Sequence, residues 1–306
     1  MSKELNLVSV VVICYNHSKF VVQCLESIVS QPYKNIELII IDDCSKDNSV
    51  HRINEWIKIQ GIKCNFIAHK ENIGLCKTLN EAISLCTGKY IKTIASDDVL
   101  LENYLPSMVE ALNQSSEESL FAFCDMNTID ENNIIIEDSF FKEILNFEDL
   151  EFTNPLNTFF KINYFTTPSC IYKKEFFEKI GPYDETIYFE DLDMWLRFFS
   201  LKNATFESVN KLGVSYRKIK SSMSGTITQK YVTAHLDIYL KHQKNNTLKK
   251  YCRKNIRNWT DKLYSFPFST QNLKYYWYNL YLNKTFLDFK LLVVYLRDNV
   301  FSTNKE

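Results

Sequence analysis

The chain has 306 residues, of which 45% are hydrophobic and 24% are charged, and it contains only 6 Gly and 6 Pro. This composition is typical of a globular protein and excludes a disordered or collagen-like chain. The formal net charge of −1 conceals a division, because residues 1–225 carry 22 Lys and Arg against 32 Asp and Glu, whereas residues 226–306 carry 14 against 5. An acidic body followed by a basic tail indicates two parts that meet different partners.

The cysteines and the N-terminus indicate where the protein works. The nine Cys include no C-x-x-C pair, so we predict small buried side chains in a reducing compartment and not a zinc site or a disulfide framework. The first residues lack the pattern of a signal peptide, and no stretch reaches the ~18 apolar residues of a membrane span. We therefore expect a cytoplasmic protein.

Strands and helices alternate over the first hundred residues. Apolar runs predict strands at Val8–Cys14, Ile36–Ile41, Cys64–Ala68 and Tyr90–Ala95. Helical spacing of apolar residues follows each run, in stripes that begin near Phe20, Asp47, Leu75 and Leu105. This rhythm predicts an α/β fold whose mostly parallel sheet is flanked by helices, and the ligands of such sheets bind at the carboxyl ends of the strands.

The pattern becomes less regular in the second half of the chain. We expect a strand at Leu120–Cys124, loops across the acidic segment Ile129–Asn154, and a helix after Asp191 with Trp195 on its apolar side. The segment from about Lys230 to Val300 is rich in Tyr, Lys and Asn and predicts several amphipathic helices. We therefore divide the chain into a domain of residues 1–225 and a basic, aromatic-rich helical region of residues 226–306.

Four polar clusters follow the four predicted strands. They are Tyr15-Asn16, Asp42-Asp43, Asn72-Ile73-Gly74 and Asp97-Asp98. Each cluster alone is an ordinary turn or helix cap, but together they place several carboxylates around one crevice, where a cation or hydrogen-bond donors must offset their repulsion. Oxygen ligands suit Mg2+ or Mn2+ bound to a phosphate. Because no Gly-rich phosphate loop is present, a dinucleotide-dependent dehydrogenase and a P-loop NTPase are poor candidates.

The order and spacing of these motifs resemble those of family-2 glycosyltransferases with the GT-A fold. Two later segments also match that family, Ile180-Gly181-Pro182-Tyr183-Asp184-Glu185 and Glu190-Asp191-Leu192-Asp193-Met194-Trp195-Leu196-Arg197. The resemblance covers about residues 8–224. It implies a Rossmann-like GT-A domain with a nucleotide-sugar-binding half in residues 1–100, an acceptor half in residues 101–225, and a C-terminal helical extension.

The resemblance also implies a role for each matched residue. The donor would be bound by side chains at the strand ends, namely Tyr15, Asn16, Asp42, Asp43, Asn72 and Asp97. Asp98 would be the ligand of Mg2+ or Mn2+. Asp191 would be the catalytic base, with Glu190 beside it. Trp195 is a candidate contact for the acceptor, with core packing as the alternative.

Two positions depart from the family's pattern. Ala95 stands where the first acid of an Asp-x-Asp motif is usual, and Lys218-Ile219-Lys220 stands where many relatives carry a His that joins the metal or the diphosphate. Lys218 or Lys220 is therefore a candidate contact for the diphosphate.

The resemblance implies an inverting transfer from a nucleotide-sugar, by analogy a UDP-sugar, to a hydroxyl group. The expected acceptor is a glycan or lipid-linked glycan of a bacterial surface, such as lipopolysaccharide or capsule. A nucleotide-sugar-binding module without catalysis remains an alternative. A sugar-nucleotide pyrophosphorylase would need a Gly-rich signature where Tyr15-Asn16-His17 stands.

The basic tail allows two interpretations. It is a helical subdomain that packs on the body, or it also contacts the inner face of the cytoplasmic membrane. The segment from Leu273 to Val300 mixes aromatic and cationic side chains, which is typical of helices that bind anionic lipid head groups. No nucleic-acid-binding motif accompanies the charge, so we expect no nucleic acid partner.

Overall fold

The computed structural model describes residues 5–140, 154–161, 164–219, 227–266, 272–283, 292–293 and 296–297. Contacts divide the chain into two compact units, one of residues 1–185 and 201–222 and the other of residues 186–200 and 223–306. The segment 186–200, which carries Glu190 and Asp191, thus belongs to the second unit. The expected functional division at residue 225 remains a prediction.

Four parallel strands form the N-terminal half of the sheet in the first unit. They are β1 (Val8–Cys14), β2 (Ile36–Asp42), β3 (Asn65–Ala68) and β4 (Tyr90–Ala95), in the order β3-β2-β1-β4. All seven residues of β1 are buried, because helices cover both faces of a parallel sheet and a continuous apolar run suits such a position. The shared direction brings the carboxyl ends of these strands to one edge.

The other strands extend the sheet beyond β4. They are β5 (Val99–Leu100), β6 (Ser119–Ile129), β7 (Ile135–Glu137), β8 (Cys170–Lys173) and β9 (Thr205–Arg217). The full order is β3-β2-β1-β4-β8-β6-β9-β5, with β7 paired to β6. β8 is antiparallel to β4 and β6, whereas β6 and β9 are parallel. The predicted α/β fold class is confirmed. The expectation of loops throughout 129–154 was wrong at β7, and residues 141–153 lie outside the described residues.

Helices of the first unit lie where the apolar stripes predicted them. They are α1 (Val21–Val29), α2 (Ser49–Gln60), α3 (Leu75–Leu85) and α4 (Tyr104–Gln114). Two further short helices, α5 (Pro155–Lys161) and α6 (Lys174–Ile180), were not predicted. The stripe of α1 is buried at Val21, Cys24, Leu25 and Ile28. All nine cysteines are free and seven of them are buried, as expected for small apolar side chains.

Four helices of the second unit fall within the described residues. They are α7 (Glu190–Phe198), α8 (Gln229–His242), α9 (Lys249–Leu263) and α10 (Leu273–Asn283). Thr228 caps α8 by accepting a hydrogen bond from the Tyr231 amide at 3.1 Å. Helix α9 packs against both α8 and α10. Within the part of the chain that the structure describes, no helix is long and apolar enough to cross a membrane.

Candidate active site

The loop after β1 is tied to the loop after β2. Asn16 has the left-handed φ of 58°, which Asn tolerates better than most residues. Its amide donates to Ser45 Oγ at 2.8 Å, and its Oδ1 accepts from the Lys46 amide at 2.7 Å. The Asn16 side-chain oxygen therefore holds the two loops together. The neighbouring Tyr15 is 45% exposed, so part of its ring is accessible to solvent.

Asp42 closes the turn that follows β2. Its Oδ1 accepts from the Ser45 amide at 2.8 Å, and its Oδ2 accepts from Ser45 Oγ at 2.5 Å. The side chain is fully buried. Both oxygens thus stabilise the turn, in which Cys44 has the left-handed φ of 64°. Asp42 therefore fixes the loop between β2 and α2.

Asp43 organises the turn after the third strand, where Asn72 contacts it. Its Oδ1 and Oδ2 accept from the amides of Ile73 and Gly74 at 2.9 and 3.0 Å. Asn72 Nδ2 donates to the Asp43 carbonyl oxygen at 3.0 Å. The carboxylate therefore fixes the turn that opens α3, at Gly74 with φ of 89°, a conformation that favours glycine.

His69 completes this arrangement, and the sequence interpretation missed it. Its Nδ1 lies 3.0 Å from Asp43 Oδ1 and its Nε2 lies 2.9 Å from Glu81 Oε2. Burial lowers the pKa of His69, but the two carboxylates outweigh it and raise that pKa above its ordinary value. His69 directly follows β3, as the other site residues follow their strands. Its position directly after β3 is the sequence feature that could have identified it as a site residue.

The Asp97-Asp98 pair lies in the turn after β4. Asp98 Oδ1 accepts from the Arg217 amide at 2.9 Å, whereas the buried Oδ2 has no hydrogen-bond partner among the described residues. Asp97 Oδ1 lies 3.5 Å from His17 Nδ1. Burial raises the pKa of both carboxyls, and repulsion by Asp97 adds to the rise at Asp98. A buried carboxylate oxygen without a partner is costly unless a ligand shares it.

Arg217 at the end of β9 holds the Asp97-Asp98 turn in place. Its Nε donates to the Asp97 carbonyl oxygen at 2.8 Å and its Nη1 to the Asp130 carbonyl oxygen at 2.7 Å. Its Nη2 donates to Gln23 Oε1 and to Asn133 Oδ1, both at 2.9 Å. The guanidinium also lies over the Phe20 ring, 4.5 Å from its centroid. Arg217 was not among the residues predicted from the sequence, although it directly precedes the candidate Lys218.

Lys92 is a second buried cation near this turn. Its Nζ donates to the carbonyl oxygens of Cys170, at 3.2 Å, and Pro168. Burial lowers the pKa of Lys92 to about 8, although Asp98 acts in the opposite direction. Positive charge inside the sheet offsets part of the carboxylate repulsion. Lys218, a predicted diphosphate contact, pairs with Glu137 Oε2 at 2.8 Å, and Lys220 lies outside the described residues.

The second unit presents Glu190 and Asp191 in the first turn of α7. Both side chains are half-buried, and Asp191 Oδ1 accepts from the Leu192 amide at 2.6 Å. Burial and the charge of Asp191 raise the pKa of Glu190 to about 8, and burial also raises the pKa of Asp191. The raised pKa values make the pair hold protons more readily than two exposed carboxyls would. An ionised carboxylate at a helix N-terminus can accept a proton.

Asp193 anchors α7 from its buried side. It accepts hydrogen bonds from Arg197 Nε at 2.8 Å and from Lys241 Nζ and His242 Nε2 on α8, both at 2.7 Å. Burial raises the pKa of Asp193, but these partners dominate and hold it at about 2. Trp195 is fully buried, which agrees with its packing alternative. The predicted acceptor contact of Trp195 remains a prediction.

The sequence model of glycosyl transferase family 2 matches residues 9–181, the segment that supplies the strand-end crevice. The chain belongs to this family. An uncharacterized glycosyltransferase of Rickettsia prowazekii is 29% identical over 208 residues. That similarity covers 66% of this chain and 61% of the relative.

Solved glycosyltransferases share the fold. The chain is similar to Staphylococcus aureus TarS (residues 1–349) in complex with UDP-GlcNAc, with a TM-score of 0.62 and 18% identity, over 95% of this chain and 80% of that one. It is also similar to the mannosyltransferase PcManGT of Pyrobaculum calidifontis in complex with GDP-Man and Mn2+. There the TM-score is 0.56 and the identity 12%, over 98% of this chain and 88% of that one. The GT-A fold expected from the sequence is confirmed.

Proposed function

We propose that this family member transfers a sugar, with inversion, from a nucleoside-diphosphate donor to a hydroxyl group of a glycan or lipid-linked glycan. The observation that carries the proposal is the buried Asp98 Oδ2, which lacks a hydrogen-bond partner among the described residues and follows β4 at the ligand-binding edge of the sheet. The complexes of TarS with UDP-GlcNAc and with UDP favour a UDP-sugar as the donor.

The loops after β1, β2 and β3 would receive the nucleotide. The exposed Tyr15 ring would stack on the base. The Asn72 side chain, which donates to the Asp43 carbonyl oxygen through Nδ2, would also contact the ribose or the base. Asp42 and Asp43, whose oxygens are already engaged by backbone amides, would fix the loop shapes on which this contact depends. Asn16 would contribute in the same way, because it joins two of the loops.

Asp98, with Asp97 beside it, would hold Mg2+ or Mn2+. Among the described residues, no group of three or more His, Cys, Asp or Glu side chains could hold a metal ion by itself. One or two carboxylates together with phosphate oxygens nevertheless suit these ions, and Asp98 Oδ2 fits this donor set. A bound ion would neutralise negative charge on the departing diphosphate. The Mn2+ in the PcManGT complex supports this choice of ion.

Asp191 would act as the catalytic base. The acceptor oxygen attacks C1 of the donor sugar as the bond from C1 to the diphosphate oxygen breaks, and the hydroxyl proton passes to an Asp191 oxygen. A single displacement from the opposite face inverts the anomeric centre. Burial and the charge of Asp191 raise the pKa of Glu190 to about 8, so Glu190 would be the proton-bearing neighbour of the base. The electron pair of the broken bond stays on the diphosphate oxygen, and the nucleoside diphosphate leaves as an anion.

A donor screen tests this proposal on the intact chain. Nucleoside diphosphates and nucleotide-sugars are added with Mn2+ and the melting temperature is recorded, because a ligand of the native state raises apparent stability. We expect stabilisation by one nucleotide class and its loss in Asp98→Asn but not in the control Asp138→Asn, which changes an exposed carboxylate. Binding without any transfer to glycan acceptors would indicate a module without catalysis. Stabilisation that is equal without metal would contradict the role of Asp98.

We further propose that the protein works at the inner face of the cytoplasmic membrane, where a lipid-linked acceptor would be presented. The basic composition of residues 226–306 supports this location.

A further inference from the structure

Helix α10 has two chemically distinct faces. Tyr275, Tyr276 and Asn279 are buried within the second unit, and Tyr275 donates a hydrogen bond to Asp237 of α8 at 3.0 Å. These contacts fix the rotation of the helix. They determine which side chains remain exposed.

The opposite face exposes three aromatic side chains. Trp277 is 62% exposed, Tyr278 47% and Tyr281 72%. Residues separated by three or four positions share one side of a helix, so Tyr281 lies beside both Trp277 and Tyr278. This aromatic face is a continuous patch and not a set of scattered apolar residues. Patches of this kind mark interaction sites.

The helices around the aromatic face are strongly basic. Residues 227–266 and 272–283 contain ten Lys and Arg and two Asp and Glu. Helix α9, which packs on α10, contributes six of these cations, and its Lys250, Lys254 and Lys262 are exposed. Trp and Tyr side chains prefer the head-group level of a bilayer. Lys and Arg side chains near an anionic leaflet are attracted to its negative surface potential.

We propose that the aromatic face of α10 docks on an anionic phospholipid surface, with Trp277, Tyr278 and Tyr281 at the head-group level. A symmetric contact between two copies would bring two basic helical units together, and their repulsion disfavours it. The surface deepens the proposed function by assigning the lipid contact to one helix face. Its test uses neither donor nor acceptor, so a failure of transfer and a failure of docking are distinguishable.

Co-sedimentation of the full chain with vesicles tests the docking. One set of vesicles contains phosphatidylcholine and phosphatidylglycerol, and the other contains phosphatidylcholine alone. We expect binding to the anionic set that weakens with added salt. Trp277→Ala combined with Tyr281→Ala should raise the dissociation constant for anionic vesicles at least about tenfold, which is the loss expected when one large aromatic side chain is no longer buried. Ile59→Ala, which removes an 80% exposed side chain of α2, should leave binding unchanged.

Three results would overturn the inference. The wild-type chain does not bind anionic vesicles, or the double variant binds them as well as wild type. In the third, the chain self-associates without lipid, and the double variant abolishes this association. The altered side chains are exposed, so circular dichroism should show unchanged helix content in the variant.

Discussion

Replacement of Arg217 by Met should destabilise the first unit strongly. The change removes four hydrogen bonds from a side chain that is only 1% exposed. It also leaves two carbonyl oxygens and two side-chain oxygens without these donors. Each hydrogen bond to a charged group contributes about 1.5–3 kcal/mol to the free energy of unfolding. Part of this loss is offset, because the variant no longer has to remove a guanidinium from water when it folds. Loss of one partner from a buried charged network typically costs about 3–5 kcal/mol, and we expect this range.

Urea denaturation followed by circular dichroism measures the change in the free energy of unfolding. Arg217→Lys keeps the charge and the stem but cannot reproduce the planar fork, so it should lose less than Arg217→Met. Arg52→Met, on the exposed side of α2, is the matched control and should stay within about 0.5 kcal/mol of wild type. A loss below about 1 kcal/mol in Arg217→Met would refute the assigned role of the guanidinium network.

Three further changes test other parts of the structure. Gly88→Ala should destabilise by about 1–3 kcal/mol in urea denaturation, because its Cβ would lie 2.7 Å from the Ser9 amide nitrogen; wild-type stability would contradict this close approach. Asp193→Asn should lower stability at neutral pH, and the deficit should vanish as the pH falls from about 4 through the Asp193 pKa of about 2; a pH-independent deficit would exclude the ion pairs as its cause. His69→Gln should show the opposite dependence, because the pKa of His69 is raised in the folded protein. Its loss of stability should be full at acidic pH and should shrink as the pH rises through that pKa. A loss that grows with pH would refute the pairing of His69 with Asp43 and Glu81.

The sequence predicted the part of the fold that depends on local patterns. Apolar runs of the right length placed β1, β2 and β4 correctly, and the polar residues that follow them lie at the carboxyl ends of these strands. The position of β8 was not predictable in this way, because its antiparallel pairing joins residues about eighty positions apart with β4 and about fifty apart with β6. Short runs such as Cys170–Lys173 carry no signal for their neighbours in a sheet.

The same limit explains which site residues were missed. Arg217 contacts Gln23 and Asp97, which are 194 and 120 positions away, so its role depends on β9 ending beside the turn after β4. Asp42 illustrates a second limit. A carboxylate that closes a turn and one that faces a ligand both follow a strand, and only the hydrogen bonds of Asp42 distinguish the two.

Asp191→Asn provides the most direct test of the proposed chemistry. The variant keeps the shape of the side chain but cannot accept the proton, so transfer from the identified donor should fall by about 10²–10⁴-fold. Donor-dependent stabilisation of the fold should remain, since the nucleotide would be bound by the strand-end loops of the other unit. Glu190→Gln, which keeps a neutral neighbour beside Asp191, should retain more activity. Transfer by Asp191→Asn at the wild-type rate would contradict the assignment of Asp191 as the base.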